Sequence, residues 1–411
     1  MKIAYIVNSF PELSETFILN RITGLLEMGH DVEIFAECDP KRGAVHSDVE
    51  RYNLMERVHY CLPQNITQFI QYILKGIWVI IISFPKIPIR LLKSLNKLKD
   101  SRTAPPLLKL LSLRILLLNK KFDIIHCSFG QNGIIGVCLK KIGVPGKYVT
   151  SFHGFDISSF ILANGNDVYK DLFLNGDLFL PACDHIKRKL VKLNCDENKI
   201  VVHHAGINLE KFMYSERKIQ AGRPIRILTI GRLAEVKGHK YAIKAMAEVA
   251  KRYKDIEYII AGEGLLREEL EKLVLQLGIS NCVKFLGAVN QDKAVKLYQQ
   301  AHIFILPSVT ASDGDTEATP VVLTEALAVG LPAISTHHGG ISELVVNGKS
   351  GFLVPEKNID ALVKKILYLI EHPEIWPEMG RLGRKFVEEN FDIKKLNTRL
   401  VEIYKSLLCK K

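Results

Sequence analysis

Apolar runs of strand length alternate with helical stretches along most of this chain. In the first half, such runs predict strands at 2–7, 31–36, 122–126, 147–152, 178–181 and 200–203. In the second half, they predict strands at 225–230, 256–261, 282–286, 303–306, 332–335 and 352–354. Because strands that alternate with helices form parallel sheets, the pattern predicts an α/β fold.

The alternation is interrupted in two places. The polar segment 213–223 is predicted to be a linker, which divides the 411 residues into a first domain at 1–215 and a second domain at 216–392. The division agrees with the length of the chain, which is too great for a single hydrophobic core. The region 65–121 is interpreted as an insertion in the first domain, because its rhythm differs from that of its surroundings.

Two carboxylates, Glu317 and Glu325, flank a short apolar and hydroxylic stretch. Thr319 is predicted to be the N-cap of a helix and Pro320 its first residue. Glu317 then lies in the loop before the helix, and Glu325 lies about two turns further on. Because a helix N-terminus presents free N–H groups and a positive dipole end, it offers a phosphate a binding site between two carboxylates. The alternative is an ordinary amphipathic helix with two solvated acids.

Two cations follow a buried strand in the second half. The apolar run 225–230 leads into Gly231, Arg232 and Lys237, on a loop that precedes a helix. The planar fork of an arginine and the compact charge of a lysine both suit a diphosphate. Ligands of open α/β sheets bind at the carboxyl ends of the strands, so these cations are better placed for a ligand than most surface charges. A pair of solvated surface charges is the alternative.

Together these two elements resemble the retaining glycosyltransferases of the family 4 type, which have the GT-B fold of two Rossmann-like domains facing a central cleft. Residues 151–156, Ser-Phe-His-Gly-Phe-Asp, resemble the His-Gly element of that family. Residues 3–11 and the sequence Ser-Glu-Thr-Phe at 14–17 resemble a subgroup that builds bacterial exopolysaccharide, such as the colanic acid glycosyltransferases. The resemblance covers nearly the whole chain.

The resemblance implies a role for each candidate residue. Glu317 and His153 are expected at the reacting sugar, Arg232 and Lys237 at the diphosphate, and Glu325 at the ribose. Further donor contacts are expected from Gly231, Ala318, Thr319, Pro320 and Leu286, and weaker acceptor-side candidates are Asp156, Glu15 and Thr16. Asp156 is expected either to support His153 or to contact the acceptor.

One candidate position departs from the family pattern. Many relatives have glycine directly after the first glutamate, where this chain has Ala318. An alanine would be strained there if the loop needed a positive φ.

The activity that the resemblance implies is the transfer of a sugar, with retention of anomeric configuration, from a UDP- or GDP-linked donor. The expected acceptor is a polyprenyl-linked saccharide of a surface polysaccharide or exopolysaccharide. The segment 393–411 is expected to cross back onto the first domain, as in other GT-B enzymes. The alternatives are a non-catalytic scaffold that binds nucleotide sugars, and a GT-B sugar epimerase or phosphorylase.

Asp313-Gly314-Asp315 matches the D-x-D motif with which another glycosyltransferase fold binds metal. Because Arg232 and Lys237 already suit the diphosphate, we interpret the motif as an acidic loop tip. We therefore predict no metal, metal-independent activity, and no cofactor besides the nucleotide sugar as co-substrate. The sequence lacks a complete G-x-G-x-x-G fingerprint, which argues against an oxidoreductase. Eight scattered cysteines and an N-terminus without a signal peptide predict a cytoplasmic protein.

Positive charge is concentrated in one segment. The chain has a net charge of +12, and residues 86–121 contain ten Lys or Arg and one acid. The uncharged run 76–84 just before them is too short to span a bilayer. The segment 76–121 is therefore predicted to lie on an anionic membrane surface, which would make the protein peripheral on the inner face of the cell membrane. A core helix followed by a solvated basic face is the alternative. Nucleic acid is disfavoured because no aromatic residues interleave with the cations.

Overall fold

The structure of the protein is a computed structural model that describes residues 1–12, 15–40, 46–61, 113, 117, 120–219 and 222–409. Within these residues, two six-stranded sheets lie one after the other along the chain. The first has the order β3-β2-β1-β4-β5-β6 and the second the order β12-β11-β10-β7-β8-β9. All of the paired strands are parallel, and each sheet has the strand order of a Rossmann fold. The prediction of an α/β fold with two Rossmann-like units is confirmed.

The strands of the first sheet are β1 (Lys2–Ser9), β2 (Asp31–Cys38), β3 (Val58–Tyr60), β4 (Ile124–Ser128), β5 (Lys147–Phe152) and β6 (Leu178–Pro181). Those of the second are β7 (Ile225–Ile230), β8 (Ile256–Ala261), β9 (Val283–Phe285), β10 (Ile303–Leu306), β11 (Ala333–Thr336) and β12 (Gly351–Val354).

Helices connect the strands. Those among residues 1–219 are α1 (Thr16–Glu27), α2 (Ser47–Arg51), α3 (Gly130–Lys141), α4 (Ser159–Asn164), α5 (Lys170–Asn175) and α6 (Asp184–Lys192). Those that follow are α7 (His239–Arg252), α8 (Arg267–Gln276), α9 (Gln291–Gln300), α10 (Val321–Ala328), α11 (Ile359–Glu371), α12 (Trp376–Asn390) and α13 (Ile393–Cys409).

The strands of the second sheet are covered on both faces, which explains their continuous apolar runs. Every residue of β10 and of β11 is buried. One face packs against Met246 of α7 and Ile366 of α11, and the other packs against Leu323 of α10. A strand that is buried on both faces shows no alternation of polar and apolar residues, so it is read from sequence as an unbroken apolar run.

One strand prediction was wrong in the first domain, and one strand was not predicted. The run 200–203 forms no strand, because only one bridge, between Phe179 and Ile200, ties it to the edge of the sheet. The short strand β3 was not predicted. Its three residues are all half-buried, so its sequence lacks the apolar run on which the prediction depended.

The C-terminal helix α13 packs on the first domain. Leu400, Tyr404 and Leu407 share a hydrophobic cluster with Ile18 and Ile22 of α1. The chain therefore returns to the first sheet after it has completed the second.

Most of the predicted membrane segment 76–121 lies outside the described residues. Of its described residues, Leu113 and Leu117 are buried in a core cluster with Phe35, and Lys120 forms an ion pair with Glu33 at 2.7 Å. No helix in the described part of the chain combines the length and apolar character that crossing a bilayer requires.

The switch point of each sheet locates the candidate site. In the second sheet β7 lies between β8 and β10, so the connections from β7 and β10 leave in opposite directions and open a crevice at the carboxyl ends of the strands. The loop after β7 contains Arg232 and Lys237, and the loop after β10 contains Glu317. Tertiary structure thus brings together motifs that are about 80 positions apart in the sequence.

Candidate active site

The loop that contains Glu317 lies at the contact between the two domains. Gly154, which follows β5 and His153, has a φ of +146°, and a Cβ atom there would lie 2.9 Å from the carbonyl oxygen of Thr316. The hydroxyl of Ser158 donates to the Asp315 carboxylate at 3.1 Å, and Lys189 donates to the Thr316 hydroxyl at 3.2 Å. The loop is therefore held from the side of the first domain.

Glu317 and Lys237 form an ion pair. The distance from Lys237 Nζ to Glu317 Oε1 is 2.7 Å, and the exposed fractions of the two side chains are 12% and 13%. The aliphatic stem of Lys237 lies over Gly231, where a Cβ atom would be 3.6 Å from Lys237 Cδ. The loop after β7 and the loop after β10, which contain the two predicted motifs, therefore meet at one partly buried ion pair.

Arg232 lies on the exposed side of this pair, and its charge reaches Glu15 of the first domain. Burial and, to a smaller extent, the charge of Glu12 raise the pKa of Glu15, Arg232 opposes both, and the resulting pKa is about 7. The carbonyl oxygen of Arg232 accepts a hydrogen bond from His239 Nε2 at 2.9 Å, which anchors the loop on α7. A cation from one domain and a carboxyl group from the other therefore face the same cleft.

The helix after Glu317 begins one residue later than predicted. Pro320 occupies the N-cap position with a ψ of 117°, and α10 begins at Val321. The Thr319 hydroxyl makes no cap hydrogen bond and is buried without a partner. Ala318 has a negative φ, so the strain expected at this position is absent. The N-terminus of α10 nevertheless lies directly after the Glu317 loop, with its first N–H groups unpaired within the helix.

Glu325 lies inside α10, and its side chain is buried. Only 6% of the residue is exposed, and the Tyr298 hydroxyl donates to its Oε2 atom at 2.9 Å. Burial raises the pKa of Glu325 to about 7, against the effect of that hydrogen bond. Leu286, the other predicted contact of the nucleoside, follows β9 in the same domain and is half-buried. A carboxylate held by a tyrosine in this position can accept hydrogen bonds from a diol.

Replacing Glu325 by glutamine is expected to stabilise the protein at pH 8. The carboxyl group ionises near pH 4.5 in the unfolded chain and near pH 7 in the folded one. Between these values the folded state keeps a proton that the unfolded state has lost, so the free energy of unfolding falls as pH rises, by on the order of 3 kcal/mol. Glu325→Gln removes that fall, and Tm at pH 8 should rise by several degrees while Tm at pH 4 changes little.

The same variant should bind UDP or GDP about tenfold more weakly, because a neutral amide is a poorer acceptor for two hydroxyls than a carboxylate. Glu268→Gln, at an exposed acid of α8, is the matched control and should change neither Tm nor binding. Equal Tm values for Glu325→Gln and wild type at pH 8 would show that the ionised carboxylate of Glu325 does not lower the free energy of unfolding.

His153 is packed between two aromatic side chains. Its ring centroid lies 4.4 Å from that of Phe17 and 5.1 Å from that of Phe129. Its Nε2 atom is buried and makes no hydrogen bond within the described structure. Burial lowers the pKa of His153 well below its usual range, and the charge of Arg21 lowers it further. The imidazole is therefore neutral at physiological pH and presents an unused nitrogen beside the cleft.

Phe129 was not predicted as a site residue. It follows β4 and has a φ of 71°, which is unusual for a residue with a bulky side chain. The next peptide is held by Asp156, because Gly130 N–H donates to Asp156 Oδ2 at 3.0 Å. Backbone strain of this kind persists where the surrounding structure imposes it, and it is concentrated at functional sites.

Of the two roles that the sequence left open for Asp156, the structure favours support of the His153 loop over contact with the acceptor. This residue is fully buried, and its carboxylate also accepts the N–H groups of His153 at 3.0 Å and Gly154 at 2.9 Å. Burial raises the pKa of Asp156, against these hydrogen bonds. Asp156 therefore holds the loop of His153 and cannot contact an acceptor. Thr16, another of the three weak candidates, begins α1 next to Phe17 and is half-buried.

The D-x-D motif also faces the first domain. Asp315 accepts a hydrogen bond from Ser158, and its own N–H donates to Asp313 Oδ1 at 2.9 Å. Among the residues that the structure describes, no group of three or more His, Cys, Asp or Glu is placed to hold a metal ion. Asp313 is exposed at the tip of the loop.

Comparison with known proteins identifies the family. The family described as "Glycosyltransferase Family 4" matches residues 14–211, and "Glycosyl transferases group 1" matches residues 214–386. The amylovoran biosynthesis glycosyltransferase of Erwinia amylovora is 36% identical over 99% of this chain and 100% of its own length. The chain belongs to this glycosyltransferase family. A putative colanic acid biosynthesis glycosyltransferase of Escherichia coli K12 is 33% identical to this glycosyltransferase, over 99% of this chain and 100% of its own length.

A solved structure shares the fold of this chain. Anabaena HepE, in complex with UDP and glucose, matches this glycosyltransferase with a TM-score of 0.76 at 19% identity, over 99% of this chain and 100% of that chain. At this level of identity the likeness concerns the fold alone. The GT-B fold and the family predicted from the sequence are both confirmed.

Proposed function

We propose that this glycosyltransferase transfers a sugar from a UDP- or GDP-linked donor to a saccharide acceptor in exopolysaccharide biosynthesis, with retention of configuration. The main support is the Lys237–Glu317 pair, which places a cation and a carboxylate 2.7 Å apart at the switch point of the second sheet. A nucleotide sugar needs both, the cation for its diphosphate and the carboxylate for its sugar. The names of the relatives, which concern amylovoran and colanic acid, support the product class.

The diphosphate would lie between the two cations and the start of α10. Arg232 is exposed, and Lys237 is held beside Glu317. As the bond between the anomeric carbon and the diphosphate oxygen breaks, negative charge grows on the leaving group. Two fixed cations and the free N–H groups of a helix N-terminus stabilise that charge without reorganisation. We propose that the reaction proceeds without a metal ion for this reason.

The sugar would lie between Glu317 and His153. The anomeric carbon gains positive charge in the transition state, and a carboxylate beside it lowers the barrier. His153, with its unpaired Nε2 atom, is placed to hydrogen-bond a hydroxyl of the donor sugar. The acceptor oxygen bonds to the anomeric carbon as the bond from that carbon to the diphosphate breaks, and the proton of the acceptor hydroxyl passes to the departing diphosphate oxygen, where negative charge has developed.

The acceptor would lie against the first domain. Phe17 and Phe129 are half-buried beside His153, and their rings form an edge-to-face pair with centroids 6.3 Å apart. Aromatic faces pack against the apolar side of a sugar ring, and Glu15 can accept hydrogen bonds from its hydroxyls. A polyprenyl-linked acceptor and a cytoplasmic, peripheral location are part of the proposal. Their support is the concentration of positive charge in the sequence of residues 76–121.

A donor screen tests this function and separates it from its alternatives. UDP-glucose, UDP-galactose, UDP-N-acetylglucosamine and GDP-mannose are each incubated with the protein, with and without lipid-linked saccharide extract, and products are followed by mass spectrometry. We expect one donor to be consumed, faster with acceptor, and the rate to be unchanged by EDTA. Binding without turnover would indicate a scaffold, and acceptor-independent isomerisation or phosphorolysis would indicate an epimerase or a phosphorylase. Loss in EDTA that Mn²⁺ restores would assign a metal role to Asp313 and Asp315.

A further inference from the structure

The backbone of Glu317 is held by His338 and Gly339, which follow β11 and belong to neither of the two candidate motifs. The N–H group of Glu317 donates to His338 Nε2 at 3.0 Å. Gly339 has a φ of +53°, and a Cβ atom there would lie only 1.9 Å from the carbonyl oxygen of Glu317. The residues that follow β11 therefore accept a hydrogen bond from the Glu317 N–H group and pack against its carbonyl group.

The hydrogen bonds determine the tautomer of His338. Because Nε2 accepts the Glu317 N–H group, it has a lone pair, so the ring proton is on Nδ1. That nitrogen faces Glu356 Oε1 at 2.6 Å. Burial raises the pKa of Glu356, but hydrogen bonds from Thr310 and His338 outweigh it, and the net pKa lies below its ordinary value. Glu356 is thus an ionised acceptor that orients the imidazole.

Glu356 is itself fixed to the β10 loop. It accepts the Thr310 N–H group at 2.8 Å, and Thr310 lies a few residues before Glu317 on the same loop. Glu356 after β12 thus contacts His338 after β11, and both residues contact the loop after β10. Three neighbouring strands therefore hold the peptide whose side chain pairs with Lys237.

A direct chemical role for His338 is excluded by its surroundings. Its side chain is 1% exposed, and both ring nitrogens are occupied, one by a backbone N–H group and one by a carboxylate. The ring can neither contact a sugar nor exchange a proton with one. What it can do is fix the direction in which Glu317 leaves the backbone.

We propose that the His338–Glu356 pair is a positioning device for Glu317, which sets the carboxylate of Glu317 at the anomeric centre of the donor. This rests on the proposed function. Catalytic groups that are displaced by about 1 Å can lose about a hundredfold in rate, and partners that orient reactive ligands typically matter by 10- to 100-fold. The pair should therefore affect turnover and leave nucleotide binding nearly unchanged.

The test compares two substitutions at one position. His338→Leu removes the acceptor for the Glu317 N–H group and keeps an apolar side chain of similar bulk. It should lower kcat about 10- to 100-fold with the donor that the screen identifies, while Kd for UDP and GDP stays within about threefold. His338→Gln offers an amide oxygen near the position of Nε2, and it should recover most of the lost kcat. Equal losses in the two variants would contradict a role for the acceptor atom.

A histidine elsewhere in the same domain provides the matched control. His302 Nδ1 accepts the Arg226 N–H group at 2.9 Å, near the amino end of β7 and away from the cleft. His302→Leu loses the same kind of hydrogen bond, so it should lower Tm and leave kcat unchanged. If His302→Leu and His338→Leu lower kcat alike, the effect is general destabilisation and the positioning role is wrong.

Two further measurements separate this inference from the proposed function. In the double variant Glu317→Gln with His338→Leu, kcat should be no lower than in Glu317→Gln alone, because both changes act through the same carboxylate. Hydrogen–deuterium exchange at the Glu317 amide should accelerate in His338→Leu and stay near wild type in His338→Gln, whatever the substrate. If Glu317→Gln alone leaves kcat unchanged, the proposed function is wrong; if only the exchange result fails, the positioning contact is wrong.

Discussion

Replacing Glu317 by glutamine is expected to lower kcat about a thousandfold, which corresponds to about 4 kcal/mol of lost transition-state stabilisation. Glutamine has the same shape but no charge, so it cannot stabilise positive charge at the anomeric carbon. Binding of UDP or GDP should be retained or become tighter, because Lys237 would no longer share its charge with a carboxylate 2.7 Å away. Calorimetric Kd values and initial rates at saturating donor measure the two effects separately.

The matched control for this variant is Asp313→Asn, which neutralises an exposed acid on the same loop. We expect Asp313→Asn to keep kcat within about twofold of wild type, since the side chain lies at the loop tip. A large loss in Asp313→Asn with little change in Glu317→Gln would move the reacting carboxylate to the D-x-D motif. That result would also contradict the proposal that the reaction proceeds without a metal ion.

Replacing Lys237 by methionine should weaken nucleotide binding as well as turnover, whereas Glu317→Gln lowers turnover alone. Methionine keeps the apolar stem that lies over Gly231 but removes the charge. The affinity for UDP or GDP should fall about a hundredfold, equivalent to about 3 kcal/mol, because a buried charged partner of the diphosphate is lost. The kcat should also fall about a hundredfold, since negative charge grows on the diphosphate as the sugar leaves. Titration calorimetry and donor-saturation kinetics test both effects.

Lys244→Met on α7 provides the comparison, because Lys244 is exposed and lies outside the site. It should leave both affinity and kcat unchanged. If Lys237→Met lowered kcat without weakening the binding of nucleoside diphosphate, Lys237 would act through Glu317 alone, and Arg232 with the start of α10 would hold the diphosphate.

The paired motifs could be read from the sequence because their chemistry is local. Arg232 and Lys237 follow a strand that is an unbroken apolar run, and Glu317 precedes a recognisable helix start. The role of each residue was inferred from the resemblance to a family, and the comparisons confirm that the chain belongs to that family. The positions of the side chains relative to one another depend on the tertiary structure.

Residues whose roles depend on burial were left undecided or overlooked. The sequence left open whether Asp156 supports His153 or contacts the acceptor, and only the structure shows that three backbone N–H groups surround its carboxylate. Phe129 and His338 stand in no motif that the sequence analysis used. Nothing in the local sequence shows that one lies beside His153 and the other beneath Glu317, because those contacts join different strands.

The amino-acid sequence by itself determined the α/β class, most strands and the elements that hold the two candidate motifs. It could do so because buried parallel strands and helix starts depend on neighbouring residues. Tertiary structure alone decided that Lys237 meets Glu317, that Asp156 is enclosed, and that His338 holds the Glu317 peptide. Those outcomes depend on the order of strands in the sheets and on the contact between domains, which bring together residues that are far apart in the chain.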